Sequence, residues 1–440
     1  MRTYDLIIIG SGPGGYVAAL YASRFKRSVC VIEKADLGGT CLNRGCIPTK
    51  AMLYSASILS MIKGSKEYGI EVSGVTVNFP AIAARRDMIV TRLRAAIDAL
   101  FKANKIDLVR GDAKLSDTKT VTVDGEKYGA RDIIIATGSR PMALPGTPFD
   151  EKRVCSSDGI LDLKEIPENL IIAGGGVIGC EFANLFNALG SKVTIVELLD
   201  RILPAQSKEV SRKIETIFKK RGIEVHTSTK FELGAESSSQ KILVAVGRRP
   251  NTEDIGLGAL GIKTQKGVIV VDDHLRTSVK NIYAIGDCVA GSFQAHKASY
   301  DGMVACDNIM GNARSVDYSN VPNCIWTDPE IASIGLSEEE ARSKYPDLRI
   351  AKFPYLASGK AYIMGESEGF IKMIGDPNGN ILGVEIFGLE ACDLIGEACL
   401  AKSLGVNIKD WARVIHGHPT LSEIFQEAAH IFTGTAIHSL

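Results

Sequence analysis

One pattern of apolar and polar positions occurs twice along the chain. "YDLIIIGSGPGG" (4–15) and "ENLIIAGGGVIG" (168–179) are short apolar runs that end in G-x-G-x-x-G. The first copy supplies Gly10, Gly12 and Gly15, and the second Gly174, Gly176 and Gly179. Each run predicts a buried strand. Each is followed by a helical pattern, "YVAALYASRF" and "CEFANLFNALG", and then by a second strand that closes on an acid, "SVCVIEK" at Glu33 and "KVTIVEL" at Glu197. Glu33 follows Gly10 by 23 positions, and Glu197 follows Gly174 by 23. A single glycine motif is weak evidence. Two with the same strand, helix and acid at the same distance predict two Rossmann-like dinucleotide sites in an α/β chain. Glycines let the backbone approach a pyrophosphate at the positive end of the next helix, and the acid accepts hydrogen bonds from a ribose diol. A 2′-phosphate at Glu197 would meet a carboxylate, so the second site is expected to take NAD over NADP. Arg201, four residues on, tempers that preference.

Later strands repeat as well, "DIIIATGSRP" (132–141) and "KILVAVGRRP" (241–250). A further strand, "NIYAIGDC" (281–288), ends at Asp287, where a carboxylate could bind a ribityl hydroxyl. The copies are unequal between acid and last strand. Val109 to Ile133 spans 24 positions, whereas Val225 to Ile242 spans 17 and includes the polar "GAESSSQ". About two antiparallel strands are expected to be missing from the second copy near 230–241, with a cost to nucleotide affinity.

Composition adds limits. The 440 residues, 45% hydrophobic and 23% charged with formal net charge zero, suit an ordinary globular protein of several domains and give no sign of a nucleic-acid or membrane partner. Its 44 glycines stand above the usual ~7%, largely in tight clusters. No apolar run is long enough for a membrane span or a signal h-region, so a cytoplasmic protein is expected.

Ten cysteines are scattered, except for the pair in "GGTCLNRGCIPTK" (38–50), Cys41 and Cys46. In a regular helix, residues five apart have Cα atoms roughly 8.7 Å from one another, and a disulfide wants about 4.4–6.8 Å. Gly45 and Pro48 relax the segment enough for a bridge that closes and reopens. A zinc site would need two more ligands at short spacing, and none is near, so no metal is expected. In a reducing compartment the pair reads as redox chemistry. Near the end, "HGHPTLSEIFQEA" (416–428) offers a base near neutral pH, with His416 and His418 both open as candidates on spacing alone.

These motifs together resemble the pyridine nucleotide–disulfide oxidoreductases over essentially the whole chain. The resemblance implies an FAD-binding part (1–143), an NAD-binding domain (144–270), a central segment returning to the FAD part (271–314) and an α+β dimerisation domain (315–440). It implies FAD held by Gly10, Gly12, Gly14, Gly15, Glu33, Lys34, Gly39, Thr40, Lys50, Ala113, Thr137, Gly138, Ser139 and Asp287. The helix start Phe293, Gln294, Ala295 and His296 would face the flavin by its backbone. NAD would fall to Gly174, Gly176, Val177, Ile178, Gly179, Glu181, Glu197, Phe231 and Gly247. Cys41 would exchange with a lipoyl sulfur and Cys46 face the flavin, with Lys50 paired to Glu181 nearby. His418, oriented by Glu423, would serve the disulfide of the other subunit of a homodimer. The implied reaction is dihydrolipoamide plus NAD to lipoamide plus NADH, on lipoyl domains of 2-oxo acid dehydrogenase or glycine cleavage complexes. A glutathione- or mercuric-type reductase is the alternative. "VELLDR" lacks the basic residues of the former, and "TGTAIHSL" the terminal cysteines of the latter. A non-catalytic flavoprotein subunit is a third reading, opposed by the intact cysteines, His418 and Glu423.

Overall fold

A computed structural model describes residues 1–233 and 240–438. The chain divides into two compact units, one of residues 1–52, 78–165 and 246–317, the other of 53–77, 166–245 and 318–440.

In the first unit, parallel strands Asp107–Arg110, Val29–Glu33, Arg2–Ile9 and Glu126–Ile135 lie side by side in that order, and Ile282–Ala284 adds a parallel strand beyond the last. Strand Val29–Glu33 is buried throughout, and the Leu6–Ile9 run of the neighbouring strand is buried too, as near-continuous Ile/Val runs in a sheet covered on both faces should be. An antiparallel pair, Thr120–Val123 and Ala113–Asp117, extends from the start of Glu126–Ile135. Its inward residues Ala113, Leu115, Val121 and Val123 join Ile7, Ile9 and Ile133 in one core cluster. Helices Pro13–Ser23 and Ala295–Ile309 pack through small residues. A Cβ at Gly302 would come within 2.6 Å of the Gly14 carbonyl oxygen.

In the second unit, parallel strands Glu224–His226, Lys192–Val196, Asn169–Ala173 and Gln240–Val244 stand in the same order as the four of the first. Between His226 and Gln240, residues 227–233 form no strand. Most of "GAESSSQ" (234–239) lies outside the described residues. The C-terminal part is an antiparallel five-stranded sheet, in the order Asn323–Ile325, Glu330–Gly335, Ile381–Gly388, Phe370–Gly375, Arg349–Pro354. Helices Ala391–Ser403 and Glu423–Thr433 bury Ile395, Ala398, Ile424, Phe425 and Ala428 in one core with the sheet.

Candidate active site

The two glycine loops are built alike. Gly10 and Gly174 have φ of 102° and 108°, a left-handed region open at low cost only to glycine. A side chain at Gly15 would run into the Gly10 carbonyl, and one at Gly179 into the Gly174 carbonyl. The middle glycines differ. Gly12 and Gly176 are the N-caps of helices Pro13–Ser23 and Val177–Leu189. A Cβ at Gly12 would meet nothing nearer than the Gly39 Cα at 4.0 Å, and one at Gly176 nothing within 4 Å. Glycine there keeps clear a space that no protein atom fills, beside free helix-end amides, which fits a pyrophosphate. Gly14 has another duty: its missing Cβ would meet Ala298 O and Ile285 Cδ1 at 3.0 Å, so it lets the two helices close.

Both acids are buried and fastened to their loops. Glu33 Oε2 accepts from the Ser11 amide (2.8 Å) and hydroxyl (2.7 Å), and Oε1 from the Ala35 amide (2.8 Å). Glu197 Oε2 accepts from the Gly175 amide at 2.6 Å and Oε1 from Leu199 at 2.8 Å. Glu33 Oε1 and both Glu197 oxygens each retain a lone pair for a ribose hydroxyl, whereas Glu33 Oε2 is filled by Ser11. Arg201 turns to Asp200 (3.2 Å) and the Pro204 carbonyl (3.1 Å). Lys34 is exposed and pairs with Asp112 at 3.5 Å.

The cysteine segment is not one bent helix but two. Gly39–Arg44 ends at Gly45, whose φ and ψ of −134° and −111° break the chain, and Cys46 opens the helix Cys46–Gly64. A Cβ at Gly45 would lie 3.1 Å from the Thr40 carbonyl. The break folds the thiols together, and they share a hydrogen bond. That bond, then burial, raises Cys41 far above the ordinary thiol range, against the Cys46 amide and the Lys50 ammonium. Two left-handed glycines dock the segment on the first loop. Gly38 donates to Ser11 O at 3.0 Å, and a Cβ at Gly39 would strike the Gly12 Cα at 2.5 Å. Asn43, which sequence reasoning passed over, donates to Leu37 O (2.8 Å) and Gly39 O (2.9 Å) and accepts from Arg94 Nη2 at 2.8 Å.

The repeated late segments meet in the first unit. Ser139–Pro141 and Arg248–Pro250 pair as antiparallel strands. Ser139 Oγ donates to Asp287 Oδ2 at 2.6 Å and accepts from Arg248 Nε at 2.8 Å. Thr137 Oγ1 donates to Asn251 O at 2.6 Å, and the Asn251 amide to Gly138 O at 2.8 Å. Burial raises the Asp287 carboxyl above its usual range, although Ser139 and the charges of Arg248 and Lys297 oppose it. Arg248 was visible only as part of the repeated late segment ending at Pro250, and Asn251 lies just beyond it. Gly247 (φ 120°) hydrogen-bonds through its carbonyl to Met142 N at 3.0 Å. Ala113 turns its methyl into the core. Gln294 caps helix Ala295–Ile309, with Phe293 and His296 exposed beside it.

In the second unit, Glu181 is buried on helix Val177–Leu189 and accepts from the Trp326 amide at 3.1 Å. Val177 and Ile178 open that helix, and Phe231 is half-buried. The two histidines separate clearly. His416 is 6% exposed in its side chain, with Nε2 on Glu397 at 2.8 Å and Nδ1 on Val414 O at 3.2 Å. His418 is 80% exposed, with only Nδ1 held, by Glu423 Oε1 at 2.9 Å. A carboxylate can only accept, so Nδ1 carries the proton and neutral His418 presents a lone pair on Nε2. Burial pushes the Glu423 carboxyl up, but hydrogen bonds from His418 and Thr420 outweigh it and hold it below the usual range.

Residues 4–302 match the family model of the pyridine nucleotide-disulphide oxidoreductases, and 321–429 the dimerisation domain of the same family. The chain belongs to that family. The cofactors of this chain are FAD and NAD, and the two cradles fit two such groups. The dihydrolipoyl dehydrogenase of Chlamydia pneumoniae is 42% identical over 455 positions, covering 99% of this chain and 98% of the relative. That of Bacillus subtilis is 40% identical over 469 positions, with 99% of each covered. Both alignments are longer than the 440 residues here, so both relatives carry residues that this oxidoreductase lacks. Among solved structures, LpdA of Mycobacterium tuberculosis superposes with a TM-score of 0.90 at 25% identity, over 98% of this chain and 99% of that one. The HOCl-induced flavoprotein disulfide reductase RclA of Escherichia coli gives 0.86 at 28%, over 98% and 99%. No helix among the described residues is long and apolar enough to cross a membrane.

Proposed function

We propose that the chain is a dihydrolipoyl dehydrogenase, which oxidises protein-bound dihydrolipoamide and reduces NAD. The observation that carries this reading is the thiol pair, hydrogen-bonded across a helix break and docked by Gly39 on the first dinucleotide loop. FAD, when bound, supplies a two-electron relay between the thiols and the nicotinamide. This chain's residues do the rest. A substrate thiolate attacks Cys41 of the oxidised pair, the Cys41–Cys46 bond breaks, and Cys46 leaves as thiolate beside Lys50. The second substrate sulfur then displaces Cys41, releasing lipoamide and leaving the chain with its dithiol. His418 of the partner subunit takes the substrate's thiol proton on Nε2, and Glu423 steadies the imidazolium. Glu197, with both oxygens turned on its loop, favours a ribose diol over a 2′-phosphate. The Lys50–Glu181 pairing belongs to this reading, as do a homodimeric cytoplasmic enzyme and lipoyl domains of 2-oxo acid dehydrogenase or glycine cleavage complexes as carriers of the substrate.

The test is NADH formation from dihydrolipoamide by the FAD-loaded protein, with glutathione disulfide and NADPH as the comparison pair. Turnover of dihydrolipoamide that disappears in Cys41→Ser and in Cys46→Ser supports the reading. Turnover of glutathione disulfide with NADPH instead would overturn it.

A further inference from the structure

The dimerisation domain holds a second close pair of thiols. Cys324 lies on the edge strand Asn323–Ile325, opposite Ala332 of the next strand. Cys392 is the second residue of helix Ala391–Ser403, its amide fixed by Glu330 Oε2 at 2.9 Å. The Cys392 sulfur lies 3.6 Å from Ile325 O and 3.7 Å from Ile331 O, over the seam between the two strands. The Cys324 sulfur lies 3.9 Å from the Cys392 carbonyl oxygen, and the two thiols hydrogen-bond to each other. Both residues are partly exposed, within reach of a small oxidant. The arrangement matches Cys41 and Cys46, where a thiol–thiol hydrogen bond also joins a helix start to a neighbouring element.

We propose that Cys324 and Cys392 are a second redox-active dithiol, outside the catalytic cycle, which hydroperoxides convert to a disulfide. Cys392 Sγ is turned onto the Ile325 and Ile331 carbonyls, so Cys324, on the edge strand, is the attacking sulfur of the proposal and Cys392 the resolving one. Cys324 attacks one peroxide oxygen. The O–O bond breaks, an S–O bond forms, and the other oxygen leaves with the Cys324 proton as water or an alcohol. Cys392 then attacks the sulfenic sulfur. The S–S bond forms, the S–O bond breaks, and the hydroxide leaves with the Cys392 proton as water. Two electrons pass from the sulfurs to the peroxide. The bridge ties an edge strand to the helix packed on it, between residues 68 positions apart. A closure that long constrains the unfolded chain and should raise the thermal midpoint.

The test uses the full-length FAD-loaded enzyme, fully reduced, freed of reductant, then treated with hydrogen peroxide, alkylated and digested without reduction. A peptide pair linked through 324 and 392 and a raised midpoint are expected. Both should vanish in Cys324→Ser and in Cys392→Ala, whose turnover before oxidation should equal that of the parent. Recovery of both cysteines as alkylated thiols overturns the proposal, and so does Cys324 found as sulfinic acid. Cys399 lies two turns along the same helix, its thiol pushed up to about 11 by burial and the Cys324 charge. A 324–399 bridge therefore also overturns it. Mapping of the unsubstituted protein decides the matter even if a variant fails to fold.

Discussion

Two histidines two positions apart have opposite environments, and the difference supports His418 as the proposed base. His416 is committed on both ring nitrogens and buried beside Glu397, which also accepts from Trp411 Nε1 at 2.7 Å. Its job is to hold the loop. His418 is held through Nδ1 alone, which leaves Nε2 for the proposed role. His418→Gln should lower dihydrolipoamide turnover by roughly 10²–10⁴-fold, the usual worth of a positioned general base, with the thermal midpoint unchanged. His416→Gln should lower the midpoint, with a smaller effect on turnover; steady-state kinetics and thermal melts on both variants check this. Spacing alone left both histidines open and only the family resemblance chose His418, because burial and the reach of Glu397 from a distant helix are not written in local spacing.

At the scale of elements, the glycine-loop repeats were legible almost residue by residue. Each of their signals is local: an apolar run, a glycine at a fixed place, an acid at the strand's end. The thiol segment was half legible. Gly45 and Pro48 announced a distortion, but its form, two separate helices docked by Gly39, depends on a loop some thirty residues upstream. Asn43 and Arg94 escaped notice because an asparagine inside a helix carries no distinctive pattern until the arginine that holds it is seen. The same holds for Lys372, which sits in a strand of apolar residues. Its ammonium is 4% exposed, 2.8 Å from Glu209, 3.0 Å from Glu338 and 3.7 Å from Glu385. Burial lowers the Lys372 pKa, but the hydrogen bonds to Glu209 and Glu338 more than reverse it. Burial pushes both carboxyls up, but bonds from Lys352 and Lys372 at Glu209, and from Lys372 and Arg342 at Glu338, outweigh it and hold both below their usual range. A depressed carboxyl gives stability that is present above its unfolded pKa and lost as pH falls through the folded one. The second unit should therefore lose stability below about pH 4, and a raised lysine should cost it nothing until well above pH 10. Lys372→Met should destabilise by about 3 kcal/mol, since it leaves the buried Glu385 without its cation while Glu209 keeps Lys352 and Glu338 keeps Arg342, and should flatten the acid limb. Urea unfolding at several pH values checks both statements.

Across the whole molecule, the two dinucleotide repeats share a four-strand core and differ in what covers it. The first carries the antiparallel pair Ala113–Asp117 and Thr120–Val123, and residues 227–233 of the second offer no strand in that place. The resulting prediction concerns unequal grip. FAD should survive dialysis, whereas NAD should bind about tenfold more weakly than to the Chlamydia pneumoniae relative, a difference of ~1.4 kcal/mol. Calorimetric titration of both proteins measures it, and equal affinities would show that the shorter connection is harmless. Chain length between matching strands is what raises this asymmetry in the sequence, whereas the spatial meeting of Ser139, Arg248 and Asp287 was not legible there, because it joins three distant segments.

The backbone-to-backbone approach of Gly39 and Gly12 bears on how such a protein could be rebuilt. With no room at Gly39 for even a methyl group, the sulfur motif and the glycine turn form a single structural piece. Transplanting the two cysteines onto another nucleotide-binding scaffold would give an idle pair of thiols unless the host turn were exchanged together with them.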